Sequence, residues 1–185
     1  MKRTFVLIFC IIFIFLIGLI INYQFKYSVD DSKDNIENKI TIFLNKSKYK
    51  QKVNEINIVK ECNIDTTKYV LFILNNKLAY AELRKGLNLK YKIISVTADI
   101  NMLRYEIIKT NKSKYLFVIG KNDNLKIDYI KAKVGVDEYK VTIPKELYYI
   151  SYCPVSSWAS LVEDPNTVRI IDKKGNDITG EIMVD

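Results

Sequence analysis

An apolar run from Phe5 to Ile21, broken by nothing more polar than Cys10 and Gly18, constrains this chain more than any other feature. As a helix, that run with Thr4 reaches roughly 27 Å at about 1.5 Å per residue, close to the thickness of a bilayer's hydrocarbon layer. A cleavable signal peptide has a shorter apolar core and an A-x-A-like site after it. Here the run ends Gly18, Leu19, Ile20, Ile21, Asn22, Tyr23. Bulky Phe9 before Cys10 likewise argues against a lipid-modified cysteine. The expectation is an uncleaved signal anchor within residues 1–25, with cleaved secretion as the alternative. Lys2 and Arg3 at the tip place it in the cytoplasm by the positive-inside tendency, which exports the remainder. Tyr23, Phe25 and Tyr27 suit an aromatic belt at the lipid boundary.

Residues 26–52 read as a helical stalk and a basic connector. From Ser28, Asp30 and Asp31 suit the positive end of a helix dipole, and Ile36, Ile40, Phe43 and Leu44 recur on one face. The alternatives are a stalk, a helix docked on its own domain and a helix lying on the membrane. Lys46, Lys48, Lys50 and Lys52 follow, alternating with Ser47, Tyr49, Gln51 and Val53. They are candidates for contact with an anionic surface, or a solvated connector.

From Val53 the pattern turns from a period of 3.6 towards 2, and residues 53–185 read as one mainly β domain. Strands are expected near 53–62, 68–74, 78–85, 90–97, 102–109, 114–120, 126–134, 138–143, 147–153 and 167–172. Residues 69–74 and 115–119 are apolar on both faces, as central strands are, whereas Tyr139, Val141 and Ile143 alternate with Lys140 and Thr142, as in a strand with one wet face. Lys68-Tyr-Val-Leu-Phe-Ile corresponds to Lys114-Tyr-Leu-Phe-Val-Ile, and Tyr91-Lys-Ile to Tyr139-Lys-Val at nearly the same offset. Two repeated four-strand meanders, packed as an antiparallel β-sandwich or partly open barrel, would account for this, as would chance. Residues 172–177 read as the turn of a closing hairpin rather than a calcium loop, since two lysines occupy it.

The formal net charge is +8. The tail is acidic (Glu163, Asp164, Asp172, Asp177, Glu181, Asp185), so the basic excess lies in the middle of the chain. Such a middle favours anionic partners, namely lipid head groups or wall polymer, with nucleic acid the least expected; a lysine-rich solvated surface is the plain alternative.

The chain contains no histidine. Ser-His-Asp and Cys-His nucleophile systems and His-ligated zinc are thereby excluded. Ser156 and Ser157 beside Trp158 lack S-x-x-K spacing, and the glycines form no phosphate loop, so no cofactor and no metal site is expected. Residues 154–165 read as a structured loop whose Trp158 covers a sheet edge. Tyr149, Tyr152 and Trp158 are candidates for an aromatic ligand platform, against core packing as the alternative. Cys62 and Cys153 are either a disulfide across a loop of about 90 residues or two separate buried thiols.

The segments Lys68-Tyr-Val-Leu-Phe-Ile-Leu-Asn-Asn, Tyr80-Ala-Glu-Leu and Asp172-Lys-Lys-Gly-Asn-Asp-Ile-Thr resemble small, membrane-anchored extracytoplasmic proteins of unknown function from AT-rich Gram-positive bacteria. That resemblance carries no activity and no site residues. The expected function is a non-enzymatic envelope protein that binds a protein partner or anionic wall component. An accessory subunit or immunity-type inhibitor is the second expectation, and an envelope hydrolase the third.

Overall fold

The computed structural model describes residues 2–46, 53, 55–160 and 167–183. A first helix, α1 (Lys2–Lys26), contains a stretch from Leu7 to Lys26 that is long and apolar enough to cross a membrane, and none of it is buried against the rest of the chain. The second helix, α2 (Lys33–Lys46), buries Ile36, Ile40 and Leu44, while Phe43 stays at the surface. Of stalk and docked helix, α2 is the docked one. Its apolar stripe is too narrow to stay wet without cost and just wide enough to cover one sheet face.

Ten strands follow among the described residues, each overlapping a segment the alternation picks out: β1 (Asn57–Ile64), β2 (Thr67–Leu74), β3 (Lys77–Lys85), β4 (Tyr91–Ile100), β5 (Leu103–Lys109), β6 (Lys114–Lys121), β7 (Ile127–Val134), β8 (Asp137–Thr142), β9 (Tyr148–Val155) and β10 (Val168–Asp172). They form three open antiparallel sheets, ordered β1-β2-β3-β4, β5-β6-β9 and β10-β7-β8. The fold is thus mainly β, built of open antiparallel sheets with no closed barrel among the described residues.

Side-chain parity stacks the layers. Val70, Phe72, Ala79, Ala81 and Leu83 face α2, while Tyr69, Leu71, Leu78 and Tyr80 turn to the other side and meet Phe117, Ile119 and Ile150 of the middle sheet. On the far face of that middle sheet, Leu116, Val118 and Tyr149 meet Ile130, Ala132, Val141 and Ile170 of the outer sheet. The order of layers is therefore α2, first sheet, middle sheet, outer sheet. Strands β2 and β6 lie in sheets covered on both faces, which is why they read as unbroken apolar runs.

Three expectations need correction. The first meander is intact, but the second is interrupted, because β7 and β8 leave to build the outer sheet and β9 returns to pair with β6. The apparent repeat therefore holds for β2 and β6, each central in its sheet, and stops at Tyr139, whose strand belongs to a different sheet from its counterpart's equivalent. The departure is pinned by Asn122, wholly buried: its side chain bonds both backbone groups of Ile127, and its N–H donates to Leu147 O at 2.7 Å. The closing hairpin is also incomplete. Its turn forms, with Gly175 at φ +85°, but after a single bridge from Asp177 to Ile171 the chain enters a helical turn, α3 (Thr179–Ile182). Thr179 Oγ1 accepts the Ile170 N–H at 2.8 Å and so takes the place of a ladder partner. At the other end, the first strand begins at Asn57 rather than 53, because the Asn45 side chain occupies both backbone groups of Val53.

Candidate functional site

The outer sheet has one buried and one wet face. Arg169 of β10 lies opposite Lys131 of β7, and Lys131 lies opposite Lys140 of β8, so three cations form one row across the whole sheet. Exposed Lys133 extends the patch along β7. Like charges directly opposite one another weaken a sheet. Partial compensation comes from Glu138, 3.0 Å from Lys131, from Asp177, 4.0 Å from Arg169, and from the Tyr129 ring beneath Lys140 at 3.9 Å. The Glu138 hydrogen bond holds the Lys131 ammonium above its usual range. The face carries more positive than negative groups in a row across three strands, which suits an extended anion. Alternation in β8 was legible beforehand; the alignment of three cations across strands was not, since it depends on register.

A second notable region is the junction of α1 with the first sheet. Val29 forms a two-bond bridge with Tyr91 of β4, at 3.0 and 2.8 Å, adding a one-residue edge to that sheet. Tyr23 and Tyr27 stack with ring centres 4.6 Å apart, and the turn joining β3 to β4 lies against them. A Cβ at Gly86 would come within 2.5 Å of the Tyr27 ring, so only glycine permits this approach. Nearby, Lys68 is buried in its sheet yet reaches Asp31 and Glu61, each at 2.6 Å, and its ammonium is raised above the usual range because these carboxylates outweigh the burial that opposes it. The pair fixes the residues after α1 to β1 and β2.

The aromatic platform does not assemble. Tyr149 is 0 % exposed in the core between the middle and outer sheets, and its hydroxyl has no hydrogen-bond partner among the described residues. Tyr152, on the opposite face of β9, is 42 % exposed and packs edge-on to Tyr115. Trp158 is 57 % exposed, with its ring against Gly135 at the β7–β8 turn rather than over a sheet edge. Strand parity explains the separation, since residues three apart on a strand point to opposite faces.

Cys62 and Cys153 are free and half-buried, as separate thiols. A bridge between them is not formed because Cys62 packs between the first and middle sheets and Cys153 between the middle and outer sheets. The middle sheet stands between them. Burial raises both thiols above the ordinary cysteine range, with Lys60 partly opposing this at Cys62.

Ser156 has Tyr139 as its neighbour, Oγ to Oη 3.1 Å, and Ser157 is exposed beside it in the turn. Neither hydroxyl has a base in hydrogen-bond reach among the described contacts. Pro154 belongs to β9, at the edge of the middle sheet where a missing N–H is tolerated, so the expected loop starts two residues later than predicted. Of the connector lysines, Lys46 is the exposed last residue of α2, while Lys48, Lys50 and Lys52 lie outside the described residues.

Turns of the first two sheets meet at Asp65, which accepts hydrogen bonds from Thr110 and, at 3.1 Å, from Tyr115, with Lys112 at 3.6 Å. Every group there is satisfied, which marks a structural clasp. Comparison of the chain with known protein families, curated proteins and solved structures found no match.

Proposed function

We propose that this chain is a membrane-anchored, non-enzymatic interaction protein of the cell envelope, with α1 as the anchor, Lys2 and Arg3 in the cytoplasm and the β domain outside. Its ligand is an extended, phosphate-bearing wall polymer held on the wet face of the outer sheet. The observation that carries this reading is the row of Arg169, Lys131 and Lys140. A sheet that keeps like charges in register sacrifices some of its own stability, and a polyanion laid across the row would relieve that repulsion. The catalytic alternative would have to rest on carboxylates, a Ser-Lys pair or a thiolate, since the chain contains no histidine.

Binding of poly(glycerol phosphate) to the full chain in neutral-lipid nanodiscs tests the reading. Affinity should fall steeply with salt and should be lost on changing Arg169, Lys131 and Lys140 together to Gln. Binding that is absent, or indifferent to that triple change, overturns it.

A second reading, an accessory subunit or inhibitor of one envelope protein, draws on Trp158 and Val136, two large apolar residues exposed beside one turn of the outer sheet. Exposed tryptophan is a common anchor of protein interfaces. Crosslinking in intact cells from position 136 would then capture a single partner in fixed stoichiometry.

A further inference from the structure

We propose that the turn between β3 and β4 is a second membrane contact, in which Leu87 and Leu89 enter the apolar layer of the bilayer beside the exit of α1. The proposal rests on α1 crossing a membrane and is independent of what the basic face binds.

Leu87 is 93 % exposed and Leu89 72 %. Their place in the fold identifies what covers them. A groove of about 440 Å³ is lined jointly by Leu87 and Asn88 of the turn and by Leu19, Ile20, Tyr23 and Gln24 of α1. Leu19 and Ile20 belong to the apolar run itself, so the turn reaches the depth of the last turn of the span. Lipid that surrounds Leu19 and Ile20 necessarily meets Leu87 as well.

The turn is also fitted for a place poor in water. Backbone groups facing hydrocarbon need internal partners. The N–H of Gly86 donates to Lys90 O at 2.8 Å, that of Leu89 to Gly86 O at 3.2 Å, that of Lys90 to Asn88 Oδ1 at 3.3 Å and that of Leu87 to Tyr23 Oη at 2.6 Å. Asn88 adds one bond to Gln24 Oε1 of α1 and one to Tyr27 O just after it, each at 2.9 Å. The turn is thus fastened to the helix and cannot choose its depth separately.

Leu89 has φ +63°. A branched, bulky residue is uncommon in that left-handed conformation, where Gly or Asn is the ordinary occupant. A leucine there places an apolar side chain outward at the expense of backbone ease, which a purely aqueous turn gives no reason to do. Exposed Lys26 ends α1, and exposed Lys85 and Lys90 bracket the turn in sequence, Lys90 being paired with Asp30 at 2.8 Å; lysines so placed suit a surface of anionic head groups.

Depth-dependent quenching tests the proposal on the full chain in phosphatidylcholine vesicles containing a minority of phosphatidylglycerol. With Trp158→Phe as background, Leu87→Trp and Leu89→Trp each place a sole tryptophan in the turn, and Phe13→Trp places one in the middle of α1. The expected result is blue-shifted emission from L87W and L89W, quenched more strongly by lipid brominated near the carbonyl end of its acyl chains than near the methyl end. The F13W signal should show the reverse order. Quenching of F13W with water-like, unquenched emission from L87W and L89W overturns the second contact and leaves the anchor standing. Failure of all three to be quenched overturns both. Both turn positions are so exposed that neither change removes core packing, and if one variant fails to fold the other gives the same reading.

Discussion

Asp65 sits in the β1–β2 turn at φ +55°, with its carboxylate turned to Thr110 and Tyr115 of the neighbouring sheet. The Thr110 hydrogen bond, with help from Tyr115 and Lys112, holds this carboxyl below the ordinary aspartate range. A group whose folded value is depressed stabilises the fold above the unfolded value of about 3.9 and stops doing so as pH falls through the folded value. Asp65→Asn should therefore lower the thermal midpoint at neutral pH, and the deficit should shrink below about pH 4. A deficit of the same size across an acid titration would show that the charge is irrelevant. Tyr149 makes the opposite case. Its buried hydroxyl finds no partner among the described residues, and burial alone drives it well above the ordinary tyrosine range. An unsatisfied buried hydroxyl costs about 1–3 kcal/mol, so Tyr149→Phe should stabilise the protein by about 1 kcal/mol, read as a raised denaturation midpoint at unchanged m-value.

At the scale of elements, the second half of the fold turns on one residue. Asn122 lies between β6 and β7 and substitutes for the ladder where the chain leaves the middle sheet. Asn122→Ala would leave the N–H and C=O of Ile127 without partners in a buried place, at a cost of about 3 kcal/mol. Denaturant unfolding measures this, and a loss below about 1 kcal/mol would mean that water or a backbone shift replaces the side chain. Helix α2 shows how element type and element role separate. Its period is visible in Ile36, Ile40 and Leu44, yet docking comes from contacts distant in sequence, such as Glu37 Oε1 accepting the Ile58 N–H at 2.9 Å. The expected closing hairpin stops after its turn because Thr179 and Asp177 bond each other, at 2.6 Å, and bend the chain into α3.

Across the whole molecule, three stacked sheets put two apolar interfaces where a simple sandwich has one. With Cys62 in one interface and Cys153 in the other, the fold does not depend on a disulfide. Reductant should leave the thermal midpoint of the full chain unchanged, and both thiols should react with a bulky maleimide slowly until the protein unfolds; a midpoint lowered by reductant would establish a bridge. The apolar run of α1 and the positions of the ten strands were legible from the chain alone, because helix length and a period of two are properties of consecutive residues. Layer assignment was not. Tyr149 and Tyr152 look equivalent in sequence, but one is sealed between sheets and the other is half in water. Lys68 and Lys114 open nearly identical strands, yet Lys68 alone is buried against two carboxylates. Arg169, Lys131 and Lys140 become one row, and Leu87 reaches the side of α1, only when strands distant in the chain pair and stack. Local chemistry determined the elements of this protein, and the long-range pairing of three sheets decided which of its side chains face solvent and which face one another.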